Sequence, residues 1–228
     1  MFEILLLDLD DTILDFHMQE AVAIRKTLET AGIDPTDATC ERYSQINDMH
    51  WKMLERGEIT REQVLHGRFQ VLFAELGVQR DTIPVVANYS HNLSEGHYFL
   101  PGALEAVQAL QKQYRLFLVS NGTAVVQYKR IRNAALEPYF EEIFISQDVG
   151  FNKPAKGFFD YCFARIKDFD PEKTLIVGDS LSSDILGGQN AGIKTCWLNP
   201  KHKNCTLEKA PDYELENITQ LEALLKTL

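Results

Sequence analysis

Five stretches of this chain are apolar at nearly every position: Phe2 to Leu9, Leu116 to Val119, Ile143 to Ile145, Thr174 to Val177 and Thr195 to Leu198. A strand with one wet face alternates apolar and polar residues. Unbroken runs this short instead predict strands covered on both faces, the condition of a parallel sheet between two helical layers. Segments of helical period accompany the later runs, at Ala103 to Gln113, Val125 to Ala135, Lys156 to Ile166 and Asp184 to Ala191. A weaker repeat follows, with Tyr213 to Leu215 extended and Ile218 to Leu228 helical. Strand and helix alternating from about residue 102 onward predict an α/β fold with a doubly wound, mainly parallel, Rossmann-like sheet.

The first run breaks that rhythm. From Asp15 to Phe99 no strand pattern occurs, only helical ones at Ala21 to Thr30, Glu41 to Glu55 and Arg61 to Leu76. A stretch of roughly eighty-five residues far exceeds the dozen or more that a crossover between neighbouring strands requires. The expectation is an inserted small α-helical domain over residues 15–98 and a core formed by residues 1–14 and 99–228. Pro101-Gly102 marks the return to the core.

A chain of 228 residues, 45% apolar and 25% charged, has room for one sizeable core domain with such an insert. Its 33 acidic residues outnumber 23 basic ones, for a formal charge of −10, and no Lys/Arg cluster interrupts the pattern. That balance excludes a polyanion-binding surface and with it a nucleic-acid polymer as partner. No run approaches the ~20 apolar residues of a membrane span, and the N-terminus lacks the basic region of a signal peptide. Cys40, Cys162, Cys196 and Cys205 form no CxxC pair and read as reduced thiols. The expectation is a cytoplasmic protein, monomeric or a small homo-oligomer, with no membrane partner.

Chemistry-bearing residues stand at four strand ends. Asp8, Asp10 and Asp11 crowd three acids into four positions, which costs Coulomb repulsion unless something positive sits among them. Side chains alternate along a strand, so Asp8 and Asp10 share a face and Asp11, expected to be solvated, takes the other. Carboxylates at i and i+2 can divide labour, one as nucleophile and metal ligand, the other as proton donor and acceptor. The plain alternative is a polar turn capping a helix. Ser120-Asn121-Gly122 offers a hydroxyl, an amide and backbone N–H groups at a helix start, either an anion cradle or a simple Asn-Gly turn. In Gly178-Asp179-Ser180-Leu181-Ser182-Ser183-Asp184, Asp179 follows an apolar run directly and Asp184 lies about one helical turn on. Lys153, before Pro154, is either a solvated lysine at a helix start or an ammonium that keeps Asp8, Asp10 and Asp179 ionised and grips a phosphate. Four strand ends with such residues favour the chemical readings jointly.

Asp8-Leu9-Asp10-Asp11-Thr12, Ser120-Asn121, Lys153-Pro154 and Gly178-Asp179 with Asp184 resemble, in order and spacing, the four motifs of the haloacid dehalogenase (HAD) superfamily. The helical insertion is similar to that superfamily's type-1 cap. The resemblance implies that Asp8 attacks phosphorus to give an aspartyl-phosphate. It implies that Asp10 protonates the leaving oxygen and later deprotonates water. It further implies Mg2+ held by Asp8, the backbone carbonyl of Asp10 and Asp179, with Asp184 acting behind them or through water. Ser120, the Asn121 backbone and Lys153 would hold the phosphoryl oxygens, and Thr12 would orient Asp10. Dehalogenases of the superfamily lack the second aspartate, so Asp10 favours a phosphatase acting on a small phosphate monoester.

DDTILDF near the start and GDSLSSDILGGQNAGIKTCWLNP near the end further resemble bacterial pyrimidine 5′-nucleotidases of the YjjG/YfnB type. Alternatives within the superfamily are a sugar-phosphate or phosphoglycolate phosphatase or a phosphoglucomutase. A more distant one is a phospho-accepting signalling domain without turnover. Phe16 and His17, where the chain leaves the first strand for the cap, are candidate substrate contacts. The plain alternative for Phe16 is packing at the hinge.

Overall fold

The computed structural model describes residues 1–228. The chain divides into two compact units, Met1–Asp15 with His97–Leu228, and Phe16–Gly96. Strand β1 (Ile4–Leu7) is followed by α1 (Phe16–Thr30), α2 (Asp37–Glu55), α3 (Arg61–Glu75) and α4 (Thr82–Glu95). Then come α5 (Ala103–Leu110), β2 (Arg115–Ser120), α6 (Ala124–Asn133), β3 (Glu142–Ile145), α7 (Ser146–Val149), α8 (Lys156–Arg165) and β4 (Thr174–Gly178). A π-helical turn (Leu181–Ile185) leads into α9 (Leu186–Ala191), and β5 (Lys194–Leu198), β6 (Tyr213–Leu215) and α10 (Leu221–Leu225) complete the chain.

In the first unit six strands form one sheet in the order β3-β2-β1-β4-β5-β6, every neighbouring pair parallel. The two faces of the sheet each bury a core, as the unbroken apolar runs require. Leu5, Leu7, Leu116, Leu118, Leu175 and Val177 pack with Val107, Leu110, Ile131 and Leu221, from α5, α6 and α10. Their strand neighbours Ile4, Leu6, Phe117, Val119 and Ile176 pack with Phe158, Phe159 and Cys162 of α8. Each fully buried leucine of β1 contributes roughly 1.5–3 kcal/mol relative to exposure. The order turns at β1, which lies between β2 and β4, and an open parallel sheet presents its ligand crevice beyond the carboxyl ends at such a point.

Beyond β1 the chain makes a tight loop. Asp11 adopts a left-handed φ of 57°, and its N–H donates to the Leu14 carbonyl at 2.7 Å. The departing and returning segments then pair with each other, Asp15 N–H to Tyr98 O at 2.8 Å and Leu100 N–H to Ile13 O at 3.0 Å.

The second unit is wholly helical. Helices α2, α3 and α4 start where side chains meet the orphan N–H groups of a first turn: Thr36 accepts from Thr39 N–H, Thr60 and Gln63 form a reciprocal capping box, and Asp81 accepts from Ile83 N–H. Its core contains Tyr43, Phe69, Leu72, Phe73 and Tyr89. Helix α4 turns Val85, Tyr89 and Leu93, spaced four residues apart, to that core and carries Pro84, tolerated in a first turn whose N–H groups lack intrahelical partners. It was not among the helices expected from the sequence, although its apolar residues recur at helical spacing. The helix expected from Asp184 begins earlier, as the π turn, and the expected C-terminal helix is a 3-10 turn followed by the short α10. No helix is long and apolar enough to cross a membrane.

Candidate active site

The residues at the strand ends converge. Asp8 extends β1 by one position, its N–H donating to the Val177 carbonyl at 3.0 Å. Lys153, only 1% exposed, reaches across from the segment before α8. Its ammonium donates to Asp8 Oδ1 at 2.6 Å, Asp184 Oδ1 at 2.6 Å and the Val119 carbonyl at 2.8 Å. Three acceptors match its three protons. Asn121 fixes the lysine's backbone at two points: its Nδ2 donates to Lys153 O at 2.8 Å, and Lys153 N–H donates to its Oδ1 at 2.9 Å. Asn121 thus acts on Lys153 through its side chain.

Asp184 comes from the π turn and bends back toward β4, where Ser180 N–H donates to its Oδ2 at 3.1 Å. This return needs Gly178, because a Cβ there would lie 2.2 Å from Asp184 Oδ2. Asp179 leaves β4 with its carbonyl anchored by Trp197 Nε1 of β5 at 2.8 Å. One carboxylate oxygen from each of Asp8, Asp179 and Asp184 can be chosen so that all three lie within 4.8 Å of one another.

Three acids and one ammonium leave this cluster short of positive charge. Burial, reinforced by Asp184 and Asp10 and opposed by Lys153, pushes the Asp8 carboxyl up to about 8. Burial and then the charges of Asp184, Asp8 and Asp11 raise Asp179 well above the carboxylate range. Asp11, expected to be solvated, is half-buried and adds to that field. For Lys153 burial works against the charge, but Asp184 and Asp8 outweigh it and hold the ammonium above the ordinary lysine value.

Asp10 is held differently from expectation. Gln127 Nε2 donates to its Oδ2 at 2.7 Å and Arg130 Nη1 to its Oδ1 at 2.5 Å. The Thr12 hydroxyl, assigned that task by family resemblance, makes no hydrogen bond. The left-handed turn at Asp11 carries Thr12 into a fully buried position. Gln127 Nε2 also donates to Ser120 Oγ at 2.7 Å, and Arg130 Nη1 donates to Gln127 Oε1 at 2.8 Å. Sequence reasoning missed Gln127 and Arg130. Their signal was position: with Val126 and Ile131 they form the buried stripe of α6. Phe16, half-buried, and His17, exposed, begin α1 in the helical unit.

A parallel sheet that gathers an aspartate pair, a lysine and two further aspartates at its carboxyl edge defines a class. Residues 5–198 match the model of the haloacid dehalogenase-like hydrolases, and this chain belongs to that family. It is 43% identical to the HAD-hydrolase YfnB of Bacillus subtilis, over 98% of this chain and 95% of that protein. A crystal structure of YfnB bound to magnesium superposes with a TM-score of 0.94 over 98% of each chain. The pyrimidine 5′-nucleotidase PynA of Streptococcus pneumoniae is 35% identical over 96% of this chain and 93% of its own. The pyrimidine 5′-nucleotidase YjjG of Escherichia coli is 31% identical over 96% and 95%.

The donor set fits a hard divalent cation. It consists of oxygens alone, it is too few to enclose an ion that keeps several waters, and its acids are raised for want of positive charge.

Proposed function

We propose that this chain is a cytoplasmic, magnesium-dependent phosphomonoesterase that works through an aspartyl-phosphate on Asp8, with pyrimidine nucleoside 5′-monophosphates as substrates. The observation that carries the reading is the buried Lys153 ammonium bridging Asp8 and Asp184 beside Asp179. The names borne by PynA and YjjG support the substrate.

Asp8, Asp179 and the Asp10 carbonyl would hold Mg2+, with Asp184 behind them. When bound, the ion neutralises charge on the phosphoryl oxygens and places them for in-line attack. Lys153 engages Asp8 Oδ1, and Oδ2 attacks phosphorus. As the new O–P bond forms, the bond to the leaving oxygen breaks, and that oxygen takes its electron pair and the proton of Asp10. The Asp10 carboxylate then takes a proton from water. The resulting hydroxide attacks phosphorus, the Asp8 O–P bond breaks, and inorganic phosphate and free Asp8 result. Ser120, the Asn121 backbone and Lys153 hold the equatorial oxygens, a positioning task suited to phosphoryl transfer. Residues 15–98 act as the substrate-selecting cap, with Phe16 and His17 its first candidates for substrate contact.

The test is phosphate release from a panel of nucleoside monophosphates and sugar phosphates, with magnesium and with chelator. The reading expects release that chelator abolishes and the highest kcat/KM on pyrimidine nucleotides. Higher values on sugar phosphates would move the substrate to that class. A long-lived phosphorylated Asp8 without turnover would indicate a signalling domain.

A further inference from the structure

We propose that Gln127 is a positioning residue that ties Asp10 and Ser120 into one hydrogen-bonded unit, an inference resting on the phosphatase reading above. Its amide has a single chemically allowed orientation. Only the nitrogen can donate to the Asp10 carboxylate, and only the oxygen can accept from the Arg130 guanidinium. Both amide protons are engaged, one on Asp10 Oδ2 and one on Ser120 Oγ, each at 2.7 Å.

Two consequences follow for the reaction. Ser120 accepts from Gln127, so its own proton points elsewhere and remains to donate to a phosphoryl oxygen. The Arg130 guanidinium donates into Asp10 Oδ1 and the neutral Gln127 amide into Oδ2. The cation favours negative charge on Oδ1, which assigns the proton that Asp10 delivers to Oδ2, the oxygen that Gln127 orients. As the P–O bond breaks, that proton passes from Oδ2 to the leaving oxygen, which takes the bonding pair.

The chain makes room for this residue. A Cβ at Gly122 would lie 2.5 Å from Gln127 Cγ and 2.8 Å from its Cδ, so only glycine leaves the amide in place. Gly122 N–H is itself held by Ser146 Oγ at 3.3 Å. Gln127 is 3% exposed and Arg130 is fully buried, so neither owes its position to solvent.

The experiment compares kcat/KM for p-nitrophenyl phosphate and an alkyl phosphate in the wild type, Gln127→Leu and Gly122→Ala, all with magnesium. A phenolate leaves with little help from an acid, whereas an alkoxide needs the proton. The parameter kcat/KM reports steps up to formation of the phosphorylated enzyme. A misdirected Asp10 therefore lowers the alkyl-to-aryl ratio by at least about tenfold, part of the range general acids supply. Taken on one sample, the ratio is independent of the fraction of folded enzyme. If Gln127→Leu does not fold, Gln127→Asn, one methylene too short, gives the same reading. An unchanged ratio in an active enzyme would overturn the role of Gln127 and leave the phosphatase reading intact. A wild type inert toward both esters would overturn both.

Discussion

Lys153 shows what one buried charge does. Its three acceptors include two carboxylates, and breaking a buried ion pair by removing one partner costs about 3–5 kcal/mol because the other charge stays behind. Lys153→Met is expected to lower stability by that order, measured by denaturant unfolding, and to abolish phosphate release. Asp8→Asn is expected to do the reverse to stability, because the Lys153 ammonium keeps Asp184 as its partner and the cluster loses one of its excess acids. The folded Asp8 carboxyl titrates at about 8 against 3.8 for the free group. Between those values the native state binds more protons than the unfolded state, so stability falls as pH rises through that window. An asparagine escapes that loss. Metal-free Asp8→Asn should melt above the wild type at pH 8, with the gap closing toward pH 4. Its turnover should fall by a thousandfold or more, on the order seen when a nucleophile is removed. Asp8 and Asp179 stood out as candidates in the sequence because packing alone seldom sets an acid directly after an oily strand, whereas Asp10, Lys153 and Asp184 became candidates only in their company. Gln127 and Arg130 did not stand out, because polar residues on a helix read as solvated until their common stripe is noticed.

At the scale of elements, β4 and the turn after it act as one part. Gly178 ends the strand, and the π turn sends Asp184 back over it. Gly178→Ala should displace the Asp184 carboxylate, weaken its bond to Lys153 and lower magnesium affinity at least about tenfold, the low end of what a lost supporting contact costs a metal site. A calorimetric magnesium titration measures this. The later strands were legible nearly to the residue, as with Thr174 to Val177 against Thr174–Gly178, whereas β1 occupies only Ile4–Leu7 of the run Phe2 to Leu9. The π turn was not legible. It depends on Asp184 meeting Ser180 N–H, a contact that no periodicity encodes. The helix Thr82–Glu95 escaped although Val85, Tyr89 and Leu93 recur every four residues, because the stripe is narrow and Pro84 interrupts its start.

At the scale of the molecule, the uncompensated acids of the site couple the proposed magnesium binding to stability. If magnesium occupies the proposed site in the folded chain alone, a hundredfold excess over Kd should raise stability by about 2.7 kcal/mol. Thermal melting with magnesium and with chelator would check it, and no difference would contradict the site's assignment. The strand-free interval after β1 is the single sequence cue to an insertion, and the compact helical unit Phe16–Gly96 lies within it. The pairing of Asp15 with Tyr98 and of Leu100 with Ile13, which closes the interval, depends on backbone contacts and was not legible in the sequence.

The central place of β1 also has a consequence during synthesis. Leu7 pairs with Leu118 on one side and Val177 on the other. At ~5–20 residues per second, the ribosome needs roughly ten to thirty seconds after making Leu7 to supply Val177. The helices between, with their local contacts, can form in that interval, while β1 lacks any partner until β2 is made and keeps one edge open until β4 follows. The strand that anchors the finished enzyme is thus, on the ribosome, its most exposed aggregation hazard and the natural client of a nascent-chain chaperone.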